Sequence, residues 1–226
     1  MNSEREKETV EKSATRGYGK LTAVAGPLFA GKSTELLKRV LWARNGLGKA
    51  VLVLKPAFDD RYGTDVVRSH DGLVAEAMPV SSPPDVPEGV SAVFIDEVQF
   101  LSRPAFDGEL HEFVASLLHR GIDVVCTGLD LDWRGRPFPV TAALLAMADE
   151  VVKTTAHCTV CGRDASKSFR TEPDGERIRL GAGDAYQARC NAHWHEEGRR
   201  GDAERGWTKP IDAGQRNWID DTKAAS

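Results

Sequence analysis

Long apolar runs are absent from this sequence, since no stretch approaches the ~18 consecutive apolar residues that a membrane-spanning helix requires. The first residues, MNSEREKETVEKSATRG, lack the apolar centre of a secretory signal. Cysteine is scarce, with 4 in 226 residues, which is too few for a disulfide scaffold. A basic excess is also missing, because 30 Lys and Arg stand against 34 Asp and Glu. These absences exclude membrane, secreted and fibrous proteins and predict a cytoplasmic protein that binds no membrane and no nucleic acid.

The remaining composition is that of a globular protein, and its distribution predicts distinct regions. Residues 1–17 carry almost nothing apolar, so we expect a disordered arm that cannot offset its ordering entropy. Residues 18–150 show the pattern of an α/β domain. Residues 151–195 are rich in cysteine, glycine and charge, and residues 196–226 form a charged tail for which we predict no fold.

Short apolar runs and amphipathic stretches alternate within the α/β region. We expect strands at 21–25, 50–54, 90–95 and 122–126, and helices at 33–44 and 104–119. Short, continuously apolar strands are typical of a parallel sheet that helices cover on both faces. The sequence therefore predicts the α/β class, with a parallel sheet flanked by helices.

A glycine-rich segment lies between the first expected strand and the first expected helix. It fits the pattern G-x-x-x-x-G-K-[S/T] and, with the next residue, comprises Gly26, Pro27, Leu28, Phe29, Ala30, Gly31, Lys32, Ser33 and Thr34. In such a loop the backbone N–H groups bind phosphate, Lys32 reaches the β- and γ-phosphates, and the Ser33 hydroxyl holds Mg²⁺. The alternative is a chance glycine-rich turn, which the flanking strand and helix disfavour. We therefore expect a nucleoside triphosphate as ligand and a fold of the P-loop NTPase type.

Two acidic residues, Asp96 and Glu97, end the apolar run at 90–95. They would lie at the carboxyl edge of the sheet, next to the phosphate loop. There Asp96 suits a Mg²⁺ ligand, and Glu97 can face a reacting hydroxyl or water. The alternative is an ordinary solvated acidic turn. With a phosphate loop nearby, we favour the functional interpretation.

Cysteines and a histidine form two short half-sites, Cys158-x-x-Cys161 and Cys190-x-x-His193. Together they offer the ligands of a tetrahedral, structural Zn²⁺. A redox pair of Cys158 and Cys161 is the alternative, but it leaves the other half-site unexplained. His195 is a second candidate for the fourth ligand, although the spacing favours His193. We expect the metal to hold together a lobe that has too few apolar residues to fold alone.

In their order and spacing, these motifs resemble the type II thymidine kinases, the small zinc-containing class. The resemblance covers about residues 20–195 and is carried by the segments 26–33, 60–62, 69–71, 94–100, 128–138 and 158–190. It implies a P-loop α/β domain with a small zinc-binding lid, or lasso, over the nucleoside. It also implies transfer of the γ-phosphate of ATP to the 5′-hydroxyl of thymidine, giving dTMP in nucleotide salvage. ATP, Mg²⁺ and structural Zn²⁺ as cofactors, a homotetramer and feedback by dTTP follow from the same resemblance.

The resemblance further implies roles for individual residues. Glu97 matches the catalytic base, and Arg61 matches an arginine that stabilises the transferred charge. Asp96 and Ser33 match the Mg²⁺ site. The thymidine pocket would comprise Gln99, Phe100, Trp133, Phe138, Ser168, Gly181 and Tyr186. For each aromatic residue in that set, the alternative is plain core packing.

Some positions depart from the family's usual residues. His193 stands where many relatives have Cys, which Zn²⁺ tolerates, and Trp133 stands where the animal enzymes have Phe. Ser168 stands where the family often has Thr near the thymine methyl, so discrimination between thymidine and deoxyuridine stays open. Other functions also stay open: a different P-loop phosphotransferase or hydrolase, and a nucleotide-dependent binding module.

Overall fold

The computed structural model describes residues 17–58, 65–69, 71–171 and 185–195. The expectations for the tail, for the arm before Gly17, for Arg61 and for Gly181 lie outside these residues. Within the described residues, no helix is both long and apolar enough to reach across a bilayer.

The described chain forms short strands joined by helices and turns. The strands are β1 (Leu21–Ala25), β2 (Val51–Pro56), β3 (Val66–Arg68), β4 (Val74–Glu76), β5 (Met78–Val80), β6 (Ala92–Ile95), β7 (Asp123–Gly128), β8 (Glu150–Lys153), β9 (Ala156–His157), β10 (Asp164–Ala165), β11 (Lys167–Arg170) and β12 (Tyr186–Arg189). The helices are α1 (Lys32–Leu41), which continues into a π-helical turn (Trp42–Gly46), α2 (Leu110–His119) and α3 (Pro139–Met147), with a 3-10 turn at Val98–Phe100. In the described part of the chain, 6 strands form a sheet in the order β5-β2-β6-β7-β1-β8, and all neighbours are parallel. This confirms the expected α/β class.

Alternate residues of the central strands point to opposite faces of the sheet. In β6, Val93 and Ile95 belong to an apolar cluster with α2 and α3, whereas Ala92 and Phe94 belong to a second cluster with α1. All four side chains are buried. Helices therefore cover both faces, as the continuous apolar runs predicted.

The helices begin and end near the expected residues, but not at them. α1 ends at Leu41, and a π-helical turn carries the chain on to Gly46. α2 begins at Leu110 and not at residue 104, because the preceding residues form turns in which Gly108 has a φ of 144°. Phe106 is buried within those turns. Because Phe106 is apolar, the helical spacing of apolar residues began before the helix itself, and the expected start was too early.

The sheet continues past the domain boundary expected at residue 150. β8 pairs with β1, with Val152 opposite Val24, and ends at Lys153. As an edge strand whose alternate residues are exposed, β8 lacks the continuous apolar run of a central strand. β8 therefore belongs to the sheet of the α/β domain.

A small lobe follows β8, and we call its described residues, 154–171 and 185–195, the cysteine lobe. In it, β9 pairs with β10 and β11 with β12, both antiparallel, and residues 191–195 are helical. Its apolar cluster consists of Ala156, Cys158, Ala165, Ala188 and Cys190. Ala30 of the phosphate loop packs against this cluster. The lobe thus has little apolar volume of its own and rests on the loop.

Candidate active site

The loop between β1 and α1 has the backbone that a phosphate loop requires. Gly31 has a left-handed conformation, with φ 70°, which glycine adopts without strain, and α1 starts directly after it. Gly26 is also required, because a Cβ there would lie 2.3 Å from the backbone oxygen of Thr154. Lys32 Nζ donates a hydrogen bond to the Pro27 backbone oxygen at 2.7 Å. Lys32 therefore lies along the loop, where it can share a bound phosphate with the N–H groups at the start of α1.

The β3–β4 hairpin touches the start of α1. Thr34 Oγ1 donates to Asp71 Oδ2 at 2.7 Å. Val67 and Ala75 belong to the same apolar cluster as the buried face of α1. Asp71, from one of the segments that carry the family resemblance, therefore lies beside the phosphate loop.

Asp96 directly follows β6, and hydroxyl groups from two other elements converge on it. Ser33 Oγ donates to Asp96 Oδ2 at 3.0 Å, and Thr127 Oγ1, from β7, donates to Oδ1. The backbone N–H of Glu97 donates to the same Oδ1 at 3.0 Å. The sequence indicated Asp96 and Ser33 but not Thr127. The available signal was the position of Thr127 near the carboxyl end of a neighbouring strand.

Burial changes the acidity of the Asp96 carboxyl, which is only 6% exposed. Burial raises its pKa, the negative charge of Glu97 raises it further, and the hydrogen bonds from Thr127, Ser33 and the Glu97 N–H oppose the rise, which leaves the pKa at about 6. A cation beside the carboxyl would favour its ionised form. Carboxylate and hydroxyl oxygens are ligands that Mg²⁺ accepts, so Asp96 and Ser33, with oxygens 3.0 Å apart, fit the expected site.

Glu97 is held in place by its own backbone and by Gln99. It has a φ of 52°, a left-handed conformation that is uncommon for any residue with a side chain and is often found at functional sites. Gln99 is buried, and its Nε2 donates to Glu97 Oε2 at 2.5 Å. The Leu129 N–H donates to Gln99 Oε1 at 2.9 Å. The amide of Gln99, which we expected to meet substrate, thus fixes the carboxylate of Glu97.

The aromatic residues expected in the nucleoside pocket come from both parts of the molecule. Phe100 is half-buried in the turn after β6, and its ring centroid lies 5.4 Å from that of Phe58. Trp133 and Phe138 lie in the loop between β7 and α3, and Phe138 is buried. Tyr186 begins β12 in the cysteine lobe.

A side chain that the sequence did not single out contacts aromatic rings from both parts of the molecule. Arg170, at the end of β11, is buried, and its guanidinium lies over the rings of both Trp133 and Tyr186. Two residues earlier, Ser168 Oγ accepts a hydrogen bond from the Leu28 N–H of the phosphate loop at 3.0 Å. Ser168 and Arg170 share one face of β11, because alternate residues of a strand point the same way. That periodicity was the signal available in the sequence.

A cluster of ligand atoms within 4.8 Å of one another lies in the cysteine lobe: Cys158, Cys161, Cys190 and His193. The sulfurs of Cys161 and Cys190 are 3.9 Å apart. His193 Nδ1 lies 3.3 Å from the Cys190 sulfur and 3.5 Å from that of Cys158. Ligands of a tetrahedral Zn²⁺ lie about 3.5–3.8 Å apart, as bonds of about 2.0–2.3 Å require, so these residues fit the metal. His195 instead has its ring centroid 5.0 Å from that of Trp194.

The surroundings of Cys158 favour the thiolate that binds metal. Burial alone would raise the pKa of this thiol. Backbone N–H groups of Cys190, Val160 and Cys161, together with His193, form hydrogen bonds to the sulfur and bring the pKa down to about 5. Because the thiolate is the metal-binding form, Cys158 is prepared to act as a ligand.

The fold and this site together define a class of protein. A phosphate loop follows the first strand of a parallel sheet, and its serine is bonded to an aspartate at the end of a nearby strand. An acid follows that aspartate, and aromatic side chains lie in the loop after β7 and in the cysteine lobe. These features are typical of P-loop phosphotransferases.

Comparison with known proteins gives the family. The model of the thymidine kinase family matches residues 19–194. A thymidine kinase of Pseudothermotoga lettingae is 39% identical over 177 residues, covering 76% of this chain and 92% of that protein. The chain belongs to the thymidine kinase family, as the motifs predicted.

A solved structure is similar to a weaker degree. Domain III of the Thermotoga maritima replication initiation protein DnaA is 16% identical, with a TM-score of 0.37. The alignment covers 69% of this chain and 63% of that one. A likeness of this size has no bearing on the function.

Proposed function

We propose that the chain transfers the γ-phosphate of ATP to the 5′-hydroxyl of thymidine, giving ADP and dTMP. The observation that carries this proposal is the pair of adjacent carboxylates after β6. Asp96 is bonded to the phosphate-loop residue Ser33, and Glu97 is oriented by Gln99. The first carboxylate is placed to bind the metal of the triphosphate, and the second is placed to accept the proton of an acceptor hydroxyl. Family membership supports thymidine as the acceptor.

The α/β domain would bind ATP. Backbone N–H groups of the phosphate loop and the side chain of Lys32 would contact the phosphates, as the loop geometry allows. Ser33 and Asp96 would hold Mg²⁺, which when bound neutralises charge on the β- and γ-phosphates. From the family resemblance we include Arg61, outside the described residues, as the group that stabilises the transferred charge.

Glu97 would act as the general base. A bond forms between the 5′-oxygen and the γ-phosphorus while the bond from that phosphorus to the ADP oxygen breaks, and the hydroxyl proton passes to the Glu97 carboxylate. Gln99 would keep this carboxylate oriented during the transfer, since the Leu129 N–H holds the amide oxygen of Gln99 while the amide nitrogen donates to Glu97. The products are ADP, dTMP and a protonated Glu97, which returns its proton to solvent.

The cysteine lobe would act as the lid over the nucleoside, and Zn²⁺ would hold the lobe together. The proposed pocket residues are Phe100, Trp133, Phe138, Ser168 and Tyr186, with Gln99 beneath and Gly181 in the part of the lasso outside the described residues. Flat aromatic walls suit a pyrimidine base, which is why we place the base on the side of Trp133 and Tyr186. A homotetramer, feedback by dTTP and a cytoplasmic location complete the proposal by family resemblance.

The test is a phosphate-transfer assay with ATP labelled at the γ-position and a panel of thymidine, deoxyuridine, deoxycytidine, deoxyadenosine and uridine. We expect labelled dTMP, formed only when Mg²⁺ is added. ADP formation without nucleoside measures hydrolysis. If no pyrimidine deoxynucleoside is labelled above background, the proposal is wrong. A hydrolase role then follows if ADP still forms, and a binding role if it does not.

A further inference from the structure

Arg170 is a charged side chain with 0% of its surface exposed. Removing a guanidinium from water is costly unless other groups compensate for the lost hydration. Arg170 lies at the end of β11, in the cysteine lobe, on the face that meets the α/β domain through Ser168 and Leu28. A buried cation at the junction of the two parts of the molecule calls for a specific reason.

Aromatic faces provide part of that compensation. The Arg170 guanidinium carbon lies 5.6 Å from the ring centroid of Tyr186 and 5.9 Å from that of Trp133. Both distances are within the range in which a cation is attracted to an aromatic ring. Because Arg has a flat guanidinium, it can contact a ring face in a way that Lys does not reproduce.

The two rings belong to different parts of the molecule. Tyr186 is the cross-strand partner of Arg170 in the β11–β12 ladder, so this contact lies within the lobe. Trp133 lies in the loop after β7 of the α/β domain, so the second contact crosses the junction. Arg134 also lies over Trp133, at 4.6 Å, but it is the next residue in the same loop. Arg170 contacts one ring from each part of the molecule.

We propose that Arg170 is a positioning residue of the nucleoside site, whose guanidinium lies over both Trp133 and Tyr186 and sets the spacing of these two aromatic walls. The proposal rests on the proposed function, in which those rings face the base. Losing Arg170 would remove the contact between the lobe and the loop after β7, so thymidine binding would suffer, whereas the phosphate loop keeps its own contacts with the lobe through Ser168 and Ala30.

The experiment compares Arg170→Met, Arg170→Lys and wild type in the full chain, with KM for thymidine, KM for ATP, kcat and zinc content measured for each. We expect Arg170→Met to raise KM for thymidine about 10-fold or more, since two desolvated cation–π contacts are lost, and to change KM for ATP less than about 2-fold. Arg170→Lys should recover part of the loss, because it retains charge without the flat group.

Arg189→Met is the matched control. Arg189 is also buried in the lobe, and its guanidinium lies 5.2 Å from the ring of Phe169, which belongs to the same lobe. At equal zinc content, Arg189→Met should leave KM for thymidine within about 2-fold of wild type. An unchanged KM in Arg170→Met, or an equal rise in Arg189→Met, would overturn the proposal.

A double-mutant cycle covers the case in which Arg170→Met does not fold. Trp133→Leu removes the ring on the α/β side, and it is combined with Arg170→Lys. We expect the two changes to be non-additive in KM for thymidine and also in thermal unfolding, which needs no substrate. Additive effects in both would overturn the inference. A wild type that phosphorylates no nucleoside contradicts the proposed function, and the unfolding cycle then still decides whether Arg170 couples the two parts.

Discussion

The α/β domain and the cysteine lobe are stabilised by different means. The clusters of the α/β domain contain large aliphatic side chains, such as Leu36, Ile95 and Leu117, all fully buried. The cluster of the described lobe contains only alanine and cysteine. Burying one Leu or Ile contributes about 1.5–3 kcal/mol, and an alanine methyl contributes far less. The difference teaches that burial of apolar side chains can hold the first region together, whereas we expect the second region to depend on a metal bound by its cysteines and His193.

Cysteine itself behaves differently in the two regions. In β7, burial raises the pKa of Cys126 to about 12, so this thiol stays protonated and packs as an apolar group. In the lobe, the hydrogen bonds to Cys158 outweigh burial and lower the pKa of that thiol to about 5. Cysteine therefore belongs to the apolar core in one region and is a candidate metal ligand in the other.

Removing the metal should have the largest effect, and this effect should be confined to the cysteine lobe. Structural zinc contributes on the order of 10 kcal/mol to the folding of zinc-finger peptides. We expect Cys158→Ala to lose zinc and to unfold the lobe while the α/β domain still melts cooperatively, as measured by metal analysis and hydrogen exchange. Cys126→Ala is the matched control and should keep its zinc. A zinc-free Cys158→Ala protein whose lobe stays protected would contradict this view.

Glu97→Gln should stop the chemistry without disturbing either region. General-base catalysis is worth about 10²–10⁴-fold, or about 3–5 kcal/mol, so kcat should fall by that factor. Because the substitution keeps the shape of the side chain and removes a negative charge beside Asp96, zinc content should match wild type and the midpoint of thermal unfolding should not fall. Glu112→Gln, on the exposed face of α2, serves as the control. A near-normal kcat would remove Glu97 from the role of base.

Leu117→Ala should show that the α/β domain relies on apolar volume. Leu117 is fully buried on the core-facing side of α2, and truncating a buried leucine to alanine costs about 2–5 kcal/mol. We expect a lower midpoint in chemical denaturation together with normal zinc content, the reverse of the Cys158 result. Leu118→Ala, next to it and only partly buried, should cost clearly less. Equal losses at the two positions would show that burial does not govern this helix.

Asp96→Asn should stabilise the nucleotide-free protein while abolishing transfer, because at this residue burial opposes folding. Folding raises the pKa of Asp96 from 3.8 to about 6, so the folded state holds the proton more tightly than the unfolded chain. Ionising the carboxyl therefore destabilises the fold above about pH 6, and this cost fades as the pH falls toward about 4. The gain in Asp96→Asn should be on the order of 1–3 kcal/mol at neutral pH.

Thermal unfolding without Mg²⁺ and nucleotide, at about pH 7.5 and about pH 4.5, measures this gain. The stabilisation should be present in full at the higher pH and clearly smaller at the lower one. Asp85→Asn, at an exposed position, should show neither effect. A gain that is independent of pH would mean that charge burial at Asp96 is not its cause.

The central strands could be predicted from the sequence because each is a continuous apolar run. β1, β2, β6 and β7 were expected near their observed positions. The edge strands β5 and β8 were not, because each is short and partly exposed and so lacks a long continuous apolar run. The β3–β4 hairpin was missed because each of its strands has only 3 residues, too few to give a pattern.

The candidate site divides in the same way. Ser33, Asp96 and the cysteine half-sites follow local patterns whose spacing reflects their chemistry. Thr127 and Arg170 act through partners far away in the chain, and their positions on strands gave only a weak signal. The π-helical turn after α1 has no sequence signal that we can identify.

The hydrogen bond from the Leu28 N–H to Ser168 has a thermodynamic consequence. Together with the packing of Ala30 against the lobe cluster, it makes the phosphate loop part of both regions. If nucleotide bound at the loop changes the affinity of the lobe for metal by some factor, bound metal must change the affinity for nucleotide by the same factor.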